Sequence, residues 1–374
     1  MPMFDAQLRD LSRLGEQSRQ RRLIARSGRD FSSNDYLGLA GSARLGTAAC
    51  EAIARGVPLG SGGSRLLRGN HAEHEALEEE AASLFGCESA LFFSSGYAAN
   101  AALLSTLPQR GDLVVHDALI YASAHEGMKL GRADHRAAAH NDPDGVSDAI
   151  VAWRAAGGTG RVWIAVESLY SMDGDTAPLP ELAELAARHD AFLLIDEAHA
   201  TGVFGPDGRG LAANYDGAEN VITLRTCGKA LGCEGALLCG PQAMRDFLIN
   251  RGRAFIFSTA PSPLMAAVVR EALRILVDEP ERRTRLHELM ALADQQLAPH
   301  GAVATGSQIL PLILGDEART MRAALYLQNA GLDVRGIRPP TVPAGTSRLR
   351  VSLTLNAGRQ DIAALADALG EALA

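Results

Sequence analysis

The chain has 374 residues, of which 47% are hydrophobic and 21% are charged, a composition typical of globular proteins. Its formal net charge of −8 at pH 7 gives no electrostatic reason to expect binding to nucleic acid or to an anionic membrane. The sequence contains no run of the roughly 20 apolar residues that span a bilayer, and residues 1–30 lack the apolar core of a secretory signal. We therefore expect a cytoplasmic protein that binds neither nucleic acid nor membranes.

The cysteines argue against a disulfide framework and against structural zinc. Their number is odd, and no two of them have Cys-x-x-Cys spacing. The five positions are Cys50, Cys87, Cys227, Cys233 and Cys239. We interpret them as packed thiols, including Cys227, which lies near a lysine discussed below.

Four short apolar runs each end abruptly in polar or glycine residues. The runs and the residues after them are 90–93 before Ser94-Ser95-Gly96, 162–166 before Glu167, 191–195 before Asp196, and 221–224 before Arg225. Uninterrupted apolar runs of this length are typical of strands buried on both faces, as in parallel sheets. Helical patterns between them predict an α/β domain with a mostly parallel sheet.

The pattern changes after residue 262. Helical patterns at 263–277, 282–297, 318–330 and 360–373 alternate with short strands at 309–314, near Val334 and at 349–353. We predict an N-terminal segment over residues 1–40, a large α/β domain over 41–262, and a smaller α+β domain over 263–374. Ligands of open α/β sheets bind beyond the carboxyl ends of the strands, so the residues after the apolar runs are the candidates for a site.

Ser95-Gly96-Tyr97 follows the first apolar run and precedes a helical pattern over 98–104. The first amides of a helix have no acceptor within it and lie at the positive end of its dipole, so they bind phosphate. The alternative is a tight glycine turn with no ligand.

Asp196 and His199 follow the most apolar run of the chain. The alternative for Asp196 is a helix cap, and Asp-x-x-His spacing could also suggest a metal. No second histidine falls nearby in sequence, so we expect no metal here.

Lys229 follows the next predicted strand, 33 positions after Asp196, among Gly228, Gly232 and Gly235. Glycines allow a backbone to approach a bound group closely, although a surface lysine in a loop is the alternative. A lysine, an acid and a phosphate-binding turn are the groups that pyridoxal phosphate requires. The lysine forms a Schiff base, the acid keeps the pyridine nitrogen protonated, and the helix start neutralises the phosphate.

At this point the sequence resembles the α-oxoamine synthases, a family of pyridoxal-phosphate enzymes with the aspartate-aminotransferase-like fold (fold type I). The resemblance runs from about Phe31 to the C-terminus. It rests on stretches in the family's order, which are 31–38 (FSSNDYLG), 60–64 (GSGGS), 95–97 (SGY), 140–142 (HND), 171–175 (SMDGD), 196–199 (DEAH), 226–229 (TCGK) and 337–346 (IRPPTVPAGT). The last stretch favours the biotin-synthesis members over the aminolevulinate, aminoketobutyrate and sphingoid-base relatives.

The resemblance implies a role for each matching residue at the cofactor. Lys229 would form the Schiff base and move the Cα proton, Asp196 would pair with the pyridine nitrogen, and His199 and Ser171 would bind the ring's phenolic oxygen. The residues implied at the phosphate are Ser95, Gly96, Tyr97 and Thr226, with Ser258 and Thr259 contributed by the second subunit of a homodimer.

The implied reaction is the decarboxylative condensation of L-alanine with a pimeloyl thioester, carried by coenzyme A or acyl carrier protein. Asn34 would lie near the bound amino acid, and Arg350 would bind its carboxylate. Thr341 would line the acyl side together with an N-terminal arginine, for which Arg19, Arg21 and Arg22 are equal candidates. Two alternatives are another α-oxoamine synthase with a different amino acid or acyl-CoA, and a non-catalytic scaffold of the same fold.

Tyr121 departs from the family pattern. Relatives carry a histidine four positions after the residue that matches Asp117, and that histidine stacks on the pyridine ring; here the position is Tyr121. Tyrosine can stack in the same way but cannot supply an imidazole that titrates near pH 7. The resemblance therefore implies either that the phenol substitutes for the imidazole or that the reaction has changed.

Overall fold

The computed structural model describes residues 3–373, which form two compact units. The large unit comprises residues 37–171 and 176–283. The small unit comprises residues 3–36, 172–175 and 284–373. Each unit has sheets and helices of its own.

Helices are distributed along the whole described range. In chain order, the α-helices α1 to α13 are Asp5–Glu16, Ala43–Ala54, Ala72–Phe85, Gly96–Thr106, Ala122–Leu130, Pro143–Ala155, Leu179–Arg188, Gln242–Arg251, Arg253–Ile256, Pro263–Asp278, Glu281–Leu297, Glu317–Asn329 and Arg359–Leu373.

The strands alternate with these helices. In chain order, β1 to β12 are Arg29–Asp30, Ser89–Phe93, Leu113–Asp117, Asp134–Ala138, Val162–Glu167, Ala191–Asp196, Val221–Thr226, Ala236–Gly240, Ile309–Gly315, Leu332–Asp333, Arg335–Ile337 and Ser347–Ser352.

The large unit is built on a seven-stranded sheet with the order β2-β8-β7-β6-β5-β3-β4. Strands β7, β6, β5, β3 and β4 are parallel to one another, and β8 runs antiparallel to both β2 and β7. The predicted α/β fold with a mostly parallel sheet is confirmed. All four apolar runs of the sequence are strands of this sheet.

The central strands are apolar throughout because helices cover both faces of the sheet. In β6, Leu194 contributes to one core cluster together with α4 residues such as Leu103. Leu193 and Ile195 contribute to the opposite cluster together with Ile150 of α6. Successive side chains of a strand point to opposite faces, so a strand covered on both sides reads as a continuous apolar run.

The small unit holds two small sheets. Strand β12 pairs antiparallel with both β11 and β9, and β1 pairs parallel with β10. Helices α12 and α13 pack against each other, and α12 also packs on β9 and β12. Residues 3–36 belong to the same unit as these C-terminal elements.

The units divide the chain differently from the predicted domains. The prediction placed helix Pro263–Asp278 in the C-terminal domain, but it belongs to the large unit. This helix, α10, packs on α2 and α3, and Arg270 forms an ion pair with Glu80 of α3 at 2.6 Å. Amphipathic periodicity predicts the helix but not the element that its apolar face contacts.

None of the helices in residues 3–373 has the length and apolar character needed to cross a membrane.

A cluster of buried charged side chains lies near the carboxyl ends of β6 and β7. Arg225, near the end of β7, is fully buried and contacts Asp216 at 2.7 Å and Glu197 at 3.7 Å. Its guanidinium also lies 4.0 Å from the centre of the Phe85 ring. Burial raises the pKa of Glu197 to about 7 even though the charge of Arg225 opposes this shift.

We predict that Arg225→Leu lowers the free energy of unfolding by about 3–5 kcal/mol, because it removes the cation beside the buried Glu197 and the nearer of the two arginines that pair with Asp216. The shift in the urea unfolding midpoint measures this loss. Arg161→Leu is the matched control, because its partner Asp190 is exposed, and it should lower the stability by about 1 kcal/mol or less. Equal effects of the two substitutions would contradict a structural role for the cluster.

Candidate active site

Lys229 lies in the loop after β7 and is half-buried. Its Nζ is 2.7 Å from Nε2 of His199, which follows β6 and is buried. The two predicted site residues are therefore in direct side-chain contact. This contact places a basic amine and an imidazole together at the carboxyl edge of the sheet.

Asp196 ends β6 beside this pair and accepts two hydrogen bonds. Asn100 of α4 donates its Nδ2–H to Oδ2 at 2.8 Å, and the Ala198 amide donates to Oδ1 at 2.9 Å. Burial raises the pKa of Asp196, whereas the charge of Lys229 and the two hydrogen bonds lower it. The carboxylate is held in a fixed orientation by neutral donors, so a cationic ligand atom would find its charge available.

The residues predicted to bind phosphate lie at the start of α4. Ser95 is the N-cap, and its hydroxyl accepts from the Ala98 amide at 3.1 Å. A Cβ atom placed on Gly96 would lie 3.8 Å from Thr226 Oγ1, so the helix start and this hydroxyl are neighbours. The amides of Gly96 and Tyr97 are among the first four of the helix, which find no acceptor within it.

Two glycines near Lys229 are required by the fold and not by a bound group. Gly232 has φ +65°, and a Cβ there would lie 2.4 Å from the Ala40 nitrogen. Gly235 has φ +98°, and a Cβ there would lie 2.4 Å from the Phe92 ring. The suggestion that these glycines admit a ligand is therefore corrected: they admit other parts of the chain.

Ser171 lies in the loop after β5 and is buried. Its backbone amide donates to Oε2 of Glu167, the last residue of β5, at 3.1 Å. Glu167 is paired in register with Asp196 on the neighbouring strand. The loop that carries Ser171 is thus held at the same edge of the sheet as Asp196.

Tyr121 is the N-cap residue of α5 and is 46% exposed. The turn that leads to it is held by Asp117, which accepts from Nδ1 of His140 at 2.9 Å and from the amides of Leu119 and Asn141 at 2.7 and 2.8 Å. Burial alone would raise the pKa of Asp117, but these hydrogen bonds together hold it below its usual value. Three hydrogen bonds to one carboxylate therefore hold the turn that leads to Tyr121.

Ser258 and Thr259 lie in the loop after α9, where Ser258 is half-buried and Thr259 is exposed. The Ser258 hydroxyl donates to the Thr259 carbonyl oxygen at 3.3 Å. A role of this pair at the site of a second subunit stays a prediction.

The substrate-binding candidates lie in the small unit. Asn34 accepts from the Tyr36 hydroxyl at 3.0 Å and from Nη2 of Arg350 at 3.1 Å. Arg350 is buried on β12, and its Nη1 donates to Ser352 Oγ at 2.6 Å. These hydrogen bonds fix the guanidinium of Arg350, a group that can bind a carboxylate in bidentate geometry.

Arg348, two positions earlier on the same strand, is bound differently. Its guanidinium forms an ion pair with Asp173 and donates to the Met172 carbonyl oxygen at 3.3 Å. The charge of Arg348 is therefore balanced by the carboxylate of Asp173.

The three N-terminal arginines, which the sequence left equal, have different surroundings. Arg19 forms an ion pair with Glu317 at 2.6 Å. Arg21 donates a hydrogen bond to Thr341 Oγ1 at 3.1 Å. Burial lowers the pKa of Arg338, and the positive charge of the nearby Arg21 lowers it further. Arg22 is exposed. Only Arg21 adjoins the predicted acyl-side residue Thr341.

The structure also identifies site residues that sequence reasoning missed. Asn100 is buried on α4 and joins Asp196 to Ser123, whose hydroxyl it contacts at 3.1 Å. A buried amide in a helix of small apolar residues was the available signal. For Glu167 the sequence offers one signal, its position directly after an apolar run.

These residues fit pyridoxal phosphate. The cofactor has an aldehyde, a basic ring nitrogen and a phosphate. The large unit offers a matching group for each: the amine of Lys229 for the aldehyde, the oriented carboxylate of Asp196 for the nitrogen, and the helix start at Gly96 for the phosphate. The fit rests on three different chemical groups at one sheet edge. No single one of them would be specific.

Curated relatives support the same assignment. The chain is 44% identical over 325 residues to an 8-amino-7-oxononanoate synthase from Anaeromyxobacter dehalogenans, covering 86% of this chain and 80% of that protein. It is 43% identical over 336 residues to the 8-amino-7-oxononanoate synthase from Geobacter sulfurreducens, covering 88% and 85%.

Solved structures agree in fold. A serine palmitoyltransferase from S. paucimobilis, solved with PLP, matches with a TM-score of 0.88 at 26% identity and covers 99% of this chain and 97% of that one. The 8-amino-7-oxononanoate synthase from Francisella tularensis matches with a TM-score of 0.79 at 27% identity and covers 93% and 98%. The family model for aminotransferase class I and II matches residues 28–369. The chain therefore belongs to the class I and II aminotransferase family and, within it, to the 8-amino-7-oxononanoate synthases.

Proposed function

We propose that the protein condenses L-alanine with a pimeloyl thioester, on coenzyme A or acyl carrier protein, to give 8-amino-7-oxononanoate, CO2 and the free thiol in biotin biosynthesis. The observation that carries the proposal is the contact between Lys229 and His199 beside Asp196, in a chain 44% identical to a synthase of that name. Pyridoxal phosphate, when bound, supplies an electron sink that stabilises negative charge at Cα of the amino acid.

Lys229 has two tasks in this reaction. Its amine would hold the cofactor and, once displaced by alanine, would take the Cα proton. His199 Nε2 lies within hydrogen-bond distance of this amine, at 2.7 Å, and would fix where the amine points. The imidazole therefore acts on the orientation of the base.

Asp196 would hold the pyridine nitrogen in its protonated form. Its orientation depends on Asn100, which donates to Oδ2 at 2.8 Å. The charge of the carboxylate opposes loss of the ring proton, which is the condition for the ring to accept electrons. Asn100 is thus a positioning residue.

The amino-acid carboxylate would bind Arg350. This guanidinium is buried, and Ser352 and Asn34 accept hydrogen bonds from it. Arg348 would not substitute for it, because Asp173 neutralises that side chain.

The acyl chain would be recognised at its far end by Arg21 and Thr341. A pimeloyl group ends in a free carboxylate, and the nearby Arg338 adds a second positive charge. Two guanidinium groups in one place repel each other, and an anion between them relieves that repulsion. This feature favours a dicarboxylic acyl group over a fatty acyl group.

A second candidate is a serine palmitoyltransferase-like reaction, which the fold likeness with a TM-score of 0.88 favours. The sequence identity to that structure is 26%, against 44% to the synthase. A palmitoyl group has no terminal carboxylate for Arg21. We therefore place the alanine and pimeloyl reaction first.

We further propose that the active form is a homodimer in which Ser258 and Thr259 contact the cofactor phosphate of the second subunit. The exposure of this loop in the single chain supports the proposal. The thioester carrier is left open between coenzyme A and acyl carrier protein.

We predict that the purified protein, loaded with pyridoxal phosphate, absorbs at about 420 nm and gains the cofactor's mass on Lys229 after borohydride treatment. Lys229→Arg keeps the positive charge but should lose both signals. Mass spectrometry of the product from L-alanine and pimeloyl-CoA then tests the reaction itself. A colourless protein with no mass gain would overturn the assignment, and product from serine and palmitoyl-CoA alone would establish the second candidate.

We predict that Tyr121→His raises kcat, because an imidazole at this position can titrate near pH 7 and the phenol cannot. Steady-state turnover with L-alanine and pimeloyl-CoA measures the effect. Tyr121→Phe is the control that keeps the ring and removes the hydroxyl. An unchanged or lower rate in the histidine variant would mean that the site does not lack an imidazole.

We predict that Arg21→Ala raises the KM for pimeloyl-CoA roughly 10- to 100-fold, as expected for loss of a hydrogen bond to a charged group. Arg19→Ala is the matched control, since Glu317 already neutralises Arg19, and its KM should change little. Heptanoyl-CoA, which lacks the terminal carboxylate, should be insensitive to both substitutions. A larger effect of Arg19→Ala than of Arg21→Ala would exchange the two assignments.

A further inference from the structure

Tyr36 is a fully buried tyrosine of the small unit, and the mechanism above gives its hydroxyl no role. The hydroxyl lies 3.0 Å from Oδ1 of Asn34, and the same oxygen lies 3.1 Å from Nη2 of Arg350. The side chains of Arg350 and Gln308 also form hydrogen bonds with Tyr36. The tyrosine is therefore at the centre of a network that includes the arginine assigned to the amino-acid carboxylate.

The chemistry of arginine fixes which groups donate in this network. A guanidinium carries only donors, so the Asn34 atom beside Nη2 of Arg350 must be the amide oxygen. The Tyr36 hydroxyl, next to that same oxygen, must then donate its proton to it. Burial raises the pKa of Tyr36, although the charge of Arg350 opposes this shift, so the proton stays on the hydroxyl near neutral pH.

Two donors on one oxygen hold the side-chain amide of Asn34 in a single orientation. Rotation of this amide by half a turn would place its Nδ2–H groups against two groups that also donate. Asn34 is half-buried, whereas Tyr36 and Gln308 are fully buried. Because Tyr36 has no exposed surface, it would act on a ligand through the side chains that it holds.

The backbone holds Tyr36 against the end of the strand that carries Arg350. The Leu355 amide donates to the Tyr36 carbonyl oxygen at 3.0 Å, and the Ser352 amide donates to the Phe31 carbonyl oxygen at 2.9 Å. The Ser352 hydroxyl in turn accepts from Nη1 of Arg350 at 2.6 Å. An arginine side chain has many rotamers, and ordering it only when a ligand binds costs affinity. Fixed hydrogen-bond partners on neighbouring backbone reduce that cost.

We propose that Tyr36 is a positioning residue for recognition of the amino-acid carboxylate. Its hydroxyl orders the Arg350 guanidinium, directly and through the Asn34 amide, before the amino acid binds. This inference rests on the proposed function, because the amino acid and the role of Arg350 are assigned there. Tyr36 itself neither transfers a proton nor contacts the amino acid.

The first test compares L-alanine with ethylamine, which is alanine without its carboxylate. The protein loaded with pyridoxal phosphate is titrated with each amine, and the change in cofactor absorbance gives an apparent Kd. Tyr36→Phe keeps the ring and removes the hydroxyl. It should raise the Kd for alanine roughly 3- to 10-fold, the range for loss of one hydrogen bond. The Kd for ethylamine should not change, because this ligand has no carboxylate for Arg350 to bind.

The control is Tyr326→Phe, which removes another tyrosine hydroxyl of the small unit, one that bonds to Glu371, and should change neither Kd. Equal weakening of both amines by Tyr36→Phe would overturn the proposal in favour of a general role in folding. An unchanged Kd for alanine would also overturn it. A wild-type protein that responds to neither amine, or binds both equally, would instead refute the proposed function.

The second test asks whether Tyr36 acts through Arg350. In a protein that already carries Arg350→Ala, adding Tyr36→Phe should leave the Kd for alanine unchanged, because the guanidinium that the hydroxyl orders is gone. Alanine should bind to this protein about as weakly as ethylamine does, so the same titration measures it. Two substitutions whose effects multiply would show that Tyr36 acts independently of Arg350, and the proposal would be overturned.

Steady-state kinetics provide a third measurement. Tyr36→Phe should raise the KM for L-alanine and leave the KM for pimeloyl-CoA and the kcat at saturating alanine unchanged, as expected when only binding is weakened. A lower kcat with an unchanged KM for alanine would assign Tyr36 to the chemical steps and overturn the proposal. Gln308→Met, which removes a hydrogen bond to the Tyr36 hydroxyl, is a second variant and should weaken alanine selectively by a smaller factor. No selective effect in either variant would contradict the network.

Discussion

The register of the parallel strands is the constraint on which the site depends. Because β5 and β6 are aligned from Val162 with Ala191 to Glu167 with Asp196, their last residues meet at one edge. Strand β7 continues the alignment, with Leu224 opposite Asp196, and the loop after it brings Lys229 back to His199. A shift of one residue in either pairing would turn the acids to the opposite face of the sheet. The chemistry thus follows from hydrogen bonds between strands that are far apart in sequence.

Much of the fold and of the candidate site could be predicted from the sequence because helices cover both faces of the sheet. That coverage makes the strands continuously apolar, so the first polar residue after each run marks an edge of the sheet, and Asp196 was identified in this way. The start of α4 was equally legible, since Ser95 caps it and Gly96 lies against Thr226. Local patterns suffice where a residue's role is fixed by the element that it ends.

The sequence could not predict the roles of residues whose partners lie far away along the chain. Arg19 and Arg21 are two positions apart and chemically identical, and only their contacts with Glu317 and Thr341, about 300 positions later, distinguish them. Asn100 depends on Asp196 in the same way. The membership of α10 in the large unit follows from side-chain packing on α2 and α3, which periodicity does not encode. These are properties of tertiary structure.

Asp196 and Glu167 lie at the same edge of the sheet and differ in the hydrogen bonds that their carboxyl groups accept. Burial raises both pKa values, but Asp196 receives hydrogen bonds from Asn100 and Ala198, whereas Glu167 receives one, from Ser171. Asp196 is therefore the better anion, and its charge in turn makes its neighbour harder to ionise. The same strand pairing therefore brings Asp196 beside a second acid and leaves Asp196, which accepts more hydrogen bonds, as the carboxylate better suited to hold a cation.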